Sequence, residues 1–271
     1  MIIKNALAAQ SAIRRDAELL LLHCLGRDDR SWLIGHDTDE LSQAVLAEFE
    51  GLCQQRHTGT PLAYLLGYRE FWSLKLKVSA DVLIPRPETE YLVEWALEIV
   101  SEQGTRSLLD LGTGSGAIAL AVKSVCPQLD VTATDTSARA LAVAGENAVT
   151  HGLDIELRES DWLKSLKDRR WSLIVSNPPY IAANDSHLAA GDLQFEPTQA
   201  LTDGEDGLAA IRTIIEDSPP YLELGGWLLL EHGYDQASDV AELMVSRGFK
   251  RVTLRHDLAG RPRVTGGCWI A

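Results

Sequence analysis

Three short runs hold the side chains best suited to chemistry. The first, Asp110-Leu111-Gly112-Thr113-Gly114, runs on through Ser115 to Gly116 and joins a strand-like apolar stretch to a helix-like one. Glycines let the chain turn tightly there and let a ligand approach the backbone, while the unpaired N–H groups that begin a helix favour polar or anionic groups. The second is Asp135, which ends the next apolar stretch about 20 residues on, at the spacing of an acid that receives ribose hydroxyls. The third is Asn177-Pro178-Pro179-Tyr180, where the apolar run "LIVS" stops on an amide, two prolines and a phenol. Both prolines lack an N–H and hold φ nearly fixed, so the chain must leave its sheet stiffly at that point.

The glycine run alone leaves two ligands open. "GTGSGA" satisfies the dinucleotide pattern G-x-G-x-x-G/A, and with Asp135 it would suit a nicotinamide-dependent oxidoreductase. Asp110 favours another ligand. A carboxylate at the end of the strand suits positive charge, such as the amino group and sulfonium of S-adenosylmethionine, better than a pyrophosphate. Asp135 could instead cap the following helix, although Thr136 or Ser137 would serve equally. Asp161 and Trp162 follow the next strand-like run and could offer a carboxylate to an adenine amine and an aromatic wall to its ring.

Methyl transfer gives Asn177 to Tyr180 a role. A planar nitrogen, in an amide or an exocyclic base amine, is a poor nucleophile because its lone pair is delocalised. The Asn177 Oδ1 and the Pro178 carbonyl can each accept one N–H and so hold that lone pair toward a methyl carbon. Pro178 and Pro179 fix the acceptors, and Tyr180 can pack against the planar group. A sulfonium loses its charge as the methyl leaves, so no general base is required beforehand. A nicotinamide oxidoreductase leaves this run unexplained.

These residues need a frame that brings them together. From residue 106 onward seven strand-like runs alternate with helical ones. The alternation predicts an α/β, Rossmann-like domain with a seven-stranded, mostly parallel sheet, helices on both faces and an antiparallel edge formed by the last two strands. Asn177 then follows the fourth strand, beside the strand that ends in Asp110. Residues 1–67 read as a small helical domain, with Gly26 stopping one helix and Asp39 capping another. Residues 68–86 alternate apolar and polar types around Ser79-Ala80-Asp81 and read as a β-hairpin linker. Residues 87–271 form the catalytic domain, opening on a helix with Pro87 in its first turn and Glu88, Glu90 and Glu94 near its positive end. Residues 181–205 lack periodicity, as functional or disordered loops do.

Composition bounds the partners. The 271-residue chain has 25 Lys plus Arg against 39 Asp plus Glu, a formal net charge of −14. Holding duplex nucleic acid by its phosphates requires a positive surface, so this balance argues against DNA as the main partner. Hydrophobic residues at 45% and charged residues at 24% are ordinary for a globular protein. No apolar run approaches a membrane span, and acids and arginines stand where a signal peptide would be apolar, which points to the cytoplasm. Cys24, Cys53, Cys126 and Cys268 form no C-x-x-C pair, so neither a metal site nor a redox motif is indicated.

"DLGTGSG", "TATDTSARAL", "SDW" and "VSNPPYI" resemble the motifs of class I S-adenosylmethionine-dependent methyltransferases acting on planar nitrogens. Adding "IPRPETE", "FEPTQAL", "GEDGL" and "LLLEHGYDQ", the chain from about residue 60 onward resembles the PrmC/HemK family, which methylates the glutamine of the Gly-Gly-Gln loop in peptide chain release factors. The Asn-Pro-Pro-Tyr run by itself is shared with adenine-specific DNA methyltransferases, so an adenine-N6 nucleic-acid methyltransferase is the alternative. The resemblance implies that Asp110, Leu111, Gly112, Thr113, Gly114, Asp135, Trp162 and Asn177 surround the methyl donor. It implies that Asn177, Pro178, Pro179 and Tyr180 receive the glutamine amide, and that Arg86, Pro87 and Glu88 lie near the cofactor pocket. The helical domain would help to recognise the release factor.

Overall fold

The computed structural model describes residues 1–167, 169–189 and 191–270, and the chain divides into two units, Met1–Tyr68 and Arg69–Ala271. The first unit is helical: α1 (Ile3–Ala8), α2 (Arg14–Cys24), α3 (Arg30–Gly35), α4 (Gln43–His57) and α5 (Leu62–Leu66). Its core gathers Ile3, Leu20, Leu21, Phe49 and Cys53, all essentially excluded from solvent. The cap of α4 is Ser42, whose hydroxyl accepts the Val45 N–H at 3.3 Å, and not Asp39 as the sequence suggests. Asp39 is engaged elsewhere, its carbonyl accepting the Ile3 N–H at 3.0 Å.

The hairpin pairs β1 (Tyr68–Phe71) with β2 (Leu74–Lys77). Its turn is Trp72-Ser73, with φ of 51° and 60°, and not Ser79-Ala80-Asp81. Two positive φ values make the tight connection that matches strand twist, a conformation usually given to Asn-Gly or Gly-Gly, so no turn signal marks it in the sequence. Residues 79–82 do turn, with Val82 N donating to Ser79 O at 3.1 Å, but no strand follows.

The remainder of the second unit comprises α6 (Glu90–Gln103), β3 (Ser107–Leu111), α7 (Ala117–Val125), β4 (Asp130–Asp135), α8 (Ala138–His151), β5 (Glu156–Glu159), β6 (Trp171–Ser176), α9 (Thr198–Leu201), α10 (Ala209–Asp217), β7 (Leu222–Glu231), α11 (Ala237–Arg247), β8 (Lys250–His256) and β9 (Pro262–Cys268). The sheet order is β5-β4-β3-β6-β7-β9-β8, parallel except at β9, which runs antiparallel to both its neighbours. The central strands are apolar on both faces because helices cover both. Leu108, Val131, Leu173, Val175 and Leu229 pack with Leu92 and Trp95 of α6 and Leu120 of α7. Leu109, Leu111, Ile174, Leu228 and Leu230 pack on the other side with Ile211 and Ile214 of α10 and Val240 of α11. Residues 181–205 contain short helical turns at Ser186–Ala189 and Gly191–Phe195 before α9, segments too short for sequence periodicity to reveal.

Candidate active site

The carboxyl ends of β3, β4 and β6 open on one cleft, at the edge where open α/β sheets bind ligands. Gly112, Thr113, Gly114, Asp135, Trp162, Asn177, Pro178 and Pro179 all line it. The glycines are required by the backbone: Gly112, Gly114 and Gly116 have φ of 71°, 56° and 84°, in the left-handed region that a Cβ disfavours. A Cβ on Gly116 would also stand 3.0 Å from Leu120 and 3.3 Å from Ala144, so this glycine lets α7 pack against α8.

Asp135 serves the loop rather than the helix. Its Oδ2 accepts the Gly114 N–H and its Oδ1 the Ser137 N–H, both at 2.9 Å, while Ser137 caps α8 by accepting the Ala140 N–H. Asp110 lies beneath the glycines and does not reach the cleft surface. It is fully buried, takes a 2.6 Å hydrogen bond from the Thr113 hydroxyl on Oδ2, and leaves Oδ1 without a partner. Burial pushes its carboxyl up to about 7, against the pull of Thr113 and the Ala119 N–H and with a further push from Asp135. Leu111 beside it is core.

Trp162 forms a wall, its ring 3.5 Å from where a Gly112 Cβ would stand. It is held at φ of 48°, a strained value for an aromatic residue, by Ser160, whose hydroxyl donates to the Trp162 carbonyl at 2.8 Å and accepts the Ser165 N–H. Asp161 stands outside: it is exposed and paired with Lys164 at 2.5 Å, and Ser160 lines the cleft in its place.

Strand register places the Asn-Pro-Pro-Tyr run. Ser176 pairs with Leu111 on one side and Leu230 on the other, so Asn177 emerges level with Gly112 and Glu231. Side chains alternate along strands, so Asp110, Asn177 and Glu231 fall on the α6–α7 face of the sheet. The Asn177 Nδ2 donates to the Thr89 hydroxyl at 3.2 Å, which leaves Oδ1 as the amide's acceptor for the cleft. Tyr180 turns below the cleft lining; its hydroxyl donates to Glu231 Oε1 at 3.4 Å, and burial with the neighbouring Glu231 raises its phenol well above the usual range. Its carbonyl accepts from Gln236 Nε2 at 3.0 Å.

Two further segments line the cleft: Val82, Pro85 and Arg86, and Pro197, Gln199 and Ala200. Glu196 joins them: its buried carboxylate accepts the Ile84 N–H at 3.0 Å and Arg86 Nη2 at 2.5 Å. Pro87 and Glu88 do not line the cleft, whereas Thr89 does.

A model of the methyltransferase small domain matches residues 93–207, and one of the PrmC N-terminal domain matches residues 3–67. The release factor glutamine methyltransferase of Xylella fastidiosa (strain 9a5c) is 50% identical over 262 residues, covering 96% of this chain and 95% of its own. The chain belongs to the release factor glutamine methyltransferase family. The family member of Bordetella pertussis is 49% identical, with 98% of each chain covered. Among solved structures, a methyltransferase from Pyrococcus furiosus superposes with a TM-score of 0.56 at 17% identity, covering 73% of this chain and 90% of that one, which extends the likeness to the fold. S-adenosylmethionine is the methyl donor of this class. The residues present fit it: a half-buried Asp135 on the glycine loop, an aromatic wall, and beneath them a buried carboxyl with an unpartnered oxygen suited to a cationic ligand.

Thr89, Ser160, Glu196 and Glu231 escaped the sequence reading as site residues. Thr89 sits inside "RPETE" and Glu196 inside "FEPTQAL", runs that marked the family without showing what each residue touches. No helix among the described residues is long and apolar enough to cross a membrane.

Proposed function

We propose that this protein transfers the methyl group of S-adenosylmethionine to the side-chain amide nitrogen of the glutamine in the Gly-Gly-Gln loop of a peptide chain release factor. The observation that carries the reading is the exit of Asn177 from β6 directly beside the glycine loop, with its Nδ2 already committed to Thr89. Bound S-adenosylmethionine supplies an electrophilic methyl carbon on a sulfonium. Asn177 Oδ1 and the Pro178 carbonyl then accept the two N–H bonds of the glutamine amide, which holds its nitrogen with the lone pair turned into the cleft. Pro178 and Pro179 keep these acceptors from relaxing, because their φ cannot change. The nitrogen surrenders a proton to solvent once it has been methylated, and no residue is assigned as base.

On the donor side, Asp135, its carboxylate held in place by the Gly114 and Ser137 N–H groups, accepts the ribose hydroxyls on its remaining lone pairs, Trp162 walls the base, and Asp110 supports the positive charge from below. Asp161 offers at most a rim contact, given its pairing with Lys164. Tyr180 braces the loop from beneath rather than stacking on the substrate. The helical unit, residues 1–67, contributes to recognising the release factor, and the reaction takes place in the cytoplasm, where release factors work. The adenine-N6 alternative shares this geometry but requires a basic surface for nucleic acid, and the chain carries a net charge of −14.

Labelled methyl transfer to a purified release factor, to its Gln→Ala loop variant and to a DNA duplex tests the reading. Label on the intact factor alone is expected. Label on DNA, or equal label on the Gln→Ala variant, overturns the substrate.

A further inference from the structure

Glu231 ends β7 at the level of Asn177, is 1% exposed, and leaves its Oε2 without a partner. An unpaired carboxylate oxygen in the core is costly. Its neighbours are informative. The Tyr180 hydroxyl donates to Oε1, and the Thr89 hydroxyl lies against the same carboxyl and stabilises its charge. Thr89 in turn accepts the Asn177 Nδ2 at 3.2 Å. One buried carboxyl therefore touches Tyr180 at one end of the Asn-Pro-Pro-Tyr run and, through a single hydroxyl, Asn177 at the other.

We infer that Glu231 is a positioning residue for methyl transfer, fixing through Thr89 which atom of the Asn177 amide faces the substrate. The inference rests on the reading of Asn177 as the acceptor of the substrate N–H. The reasoning is one of hydrogen-bond direction. A carboxylate can only accept, so the single proton of the Thr89 hydroxyl is drawn toward Glu231. The Thr89 oxygen can then only accept from Asn177, which holds Nδ2 inward and Oδ1 outward. With a neutral amide in place of the carboxylate, an N–H can donate to Thr89 and free its proton for Asn177 Oδ1. Asn177 could then turn over and present Nδ2, a donor, to a substrate amide that needs acceptors. Burial raises the Glu231 carboxyl to about 7, while Thr89, Tyr180 and Arg263 pull it back and Glu88 adds to the rise, so the ionised form prevails above that pH.

The test compares Thr89→Val, Thr89→Ser, Glu231→Gln and the double variant Thr89→Val/Glu231→Gln with wild type and Asn177→Ala. Each is assayed at pH 8.5 for methylation of a release factor and, separately, for the Kd of S-adenosylmethionine. Thr89→Val keeps the volume and removes the hydroxyl; Thr89→Ser keeps the hydroxyl. The expectation is a kcat lowered about 10- to 100-fold by Thr89→Val and by Glu231→Gln, with the cofactor Kd within about 3-fold. Thr89→Ser retains kcat within about 3-fold, and the double variant is no slower than the slower single. Thr89→Val and Thr89→Ser behaving alike, or Glu231→Gln at wild-type kcat, overturns the inference if Asn177→Ala is inactive in the same assay. An active Asn177→Ala instead removes the reading beneath it, and the inference with it.

Discussion

Asp110 and Glu231 stand at the carboxyl ends of β3 and β7, one strand to either side of β6, and both are fully buried carboxyls that burial lifts to about 7. Each keeps one oxygen without a partner. They differ in what holds the other oxygen. Asp110 is served by Thr113, three residues on in the same loop, and the oxygen it leaves unanswered lies under the glycine loop. Glu231 is served by Tyr180, and Thr89 lies beside it, both brought from elements distant in sequence. On the proposed reading, the first is a local device presenting charge toward the methyl donor, and the second a tertiary device that braces the site.

The sharpest way to break this contrast is to remove what lies between the two. Asn177→Ala deletes the acceptor and is expected to lower kcat about 10²- to 10³-fold, the usual cost of one preorganised transition-state hydrogen bond. The cofactor Kd should weaken only modestly, and single-turnover rates with separate calorimetry check both. Wild-type turnover would refute the role.

Asp110→Asn probes the cofactor end. It keeps a partner for Thr113 and removes the charge, so S-adenosylmethionine binding should weaken about 10- to 100-fold, as for loss of a charged interaction worth roughly 1.5–3 kcal/mol. Glu231→Gln should leave the same Kd nearly unchanged, and equal losses in titration calorimetry would erase the distinction. The two carboxyls should nevertheless agree in ligand-free stability. Each has a folded pKa raised above its ordinary value, so the stability it confers is complete below about pH 4 and is lost as pH rises through about 7. Relative to wild type, both Asp110→Asn and Glu231→Gln should gain stability across that window, measured by urea unfolding from pH 4 to 8. Cofactor affinity should tighten as pH rises through about 7 in wild type and stay flat in Asp110→Asn.

The backbones of the two ends offer a smaller test. A Cβ on Gly207 would stand 2.4 Å from the Tyr180 carbonyl oxygen, at φ of 82°. Gly207→Ala should therefore push the Asn-Pro-Pro-Tyr run and cost about 1–3 kcal/mol together with a lower kcat. Gly114 has φ of 56° but open space around it, so Gly114→Ala should cost about 1 kcal/mol from strain alone. Thermal denaturation with parallel kinetics ranks them, and a milder effect at Gly207 would show that its neighbours yield.

The glycine loop was legible because its geometry is local. Gly112 to Gly116 carry their turn in their own residue types, and Asp110, Thr113 and Asp135 bond within that loop and the next. The same locality made the central strands of the sheet legible, since β3, β6 and β7 each carry an apolar run bounded by polar residues. The hairpin turn was missed because Trp72 and Ser73 adopt positive φ without any glycine. Asp161 was expected near the base because it follows the next strand, yet it pairs outward with Lys164 while Ser160 lines the cleft.

Periodicity and turn residues are read over a few neighbours, so they were enough to specify a doubly wound sheet, its glycine loop and a stiff strand exit at Asn177. Hydrogen-bond partners far apart along the chain leave no such trace. That Thr89, Glu231 and Tyr180 meet behind Asn177, and that Glu196 draws residues 84–86 toward 197–200, follows from strand register and helix packing. Those are set when the whole core closes, because burial there makes an unmet polar group costly and so fixes which distant side chains must answer one another.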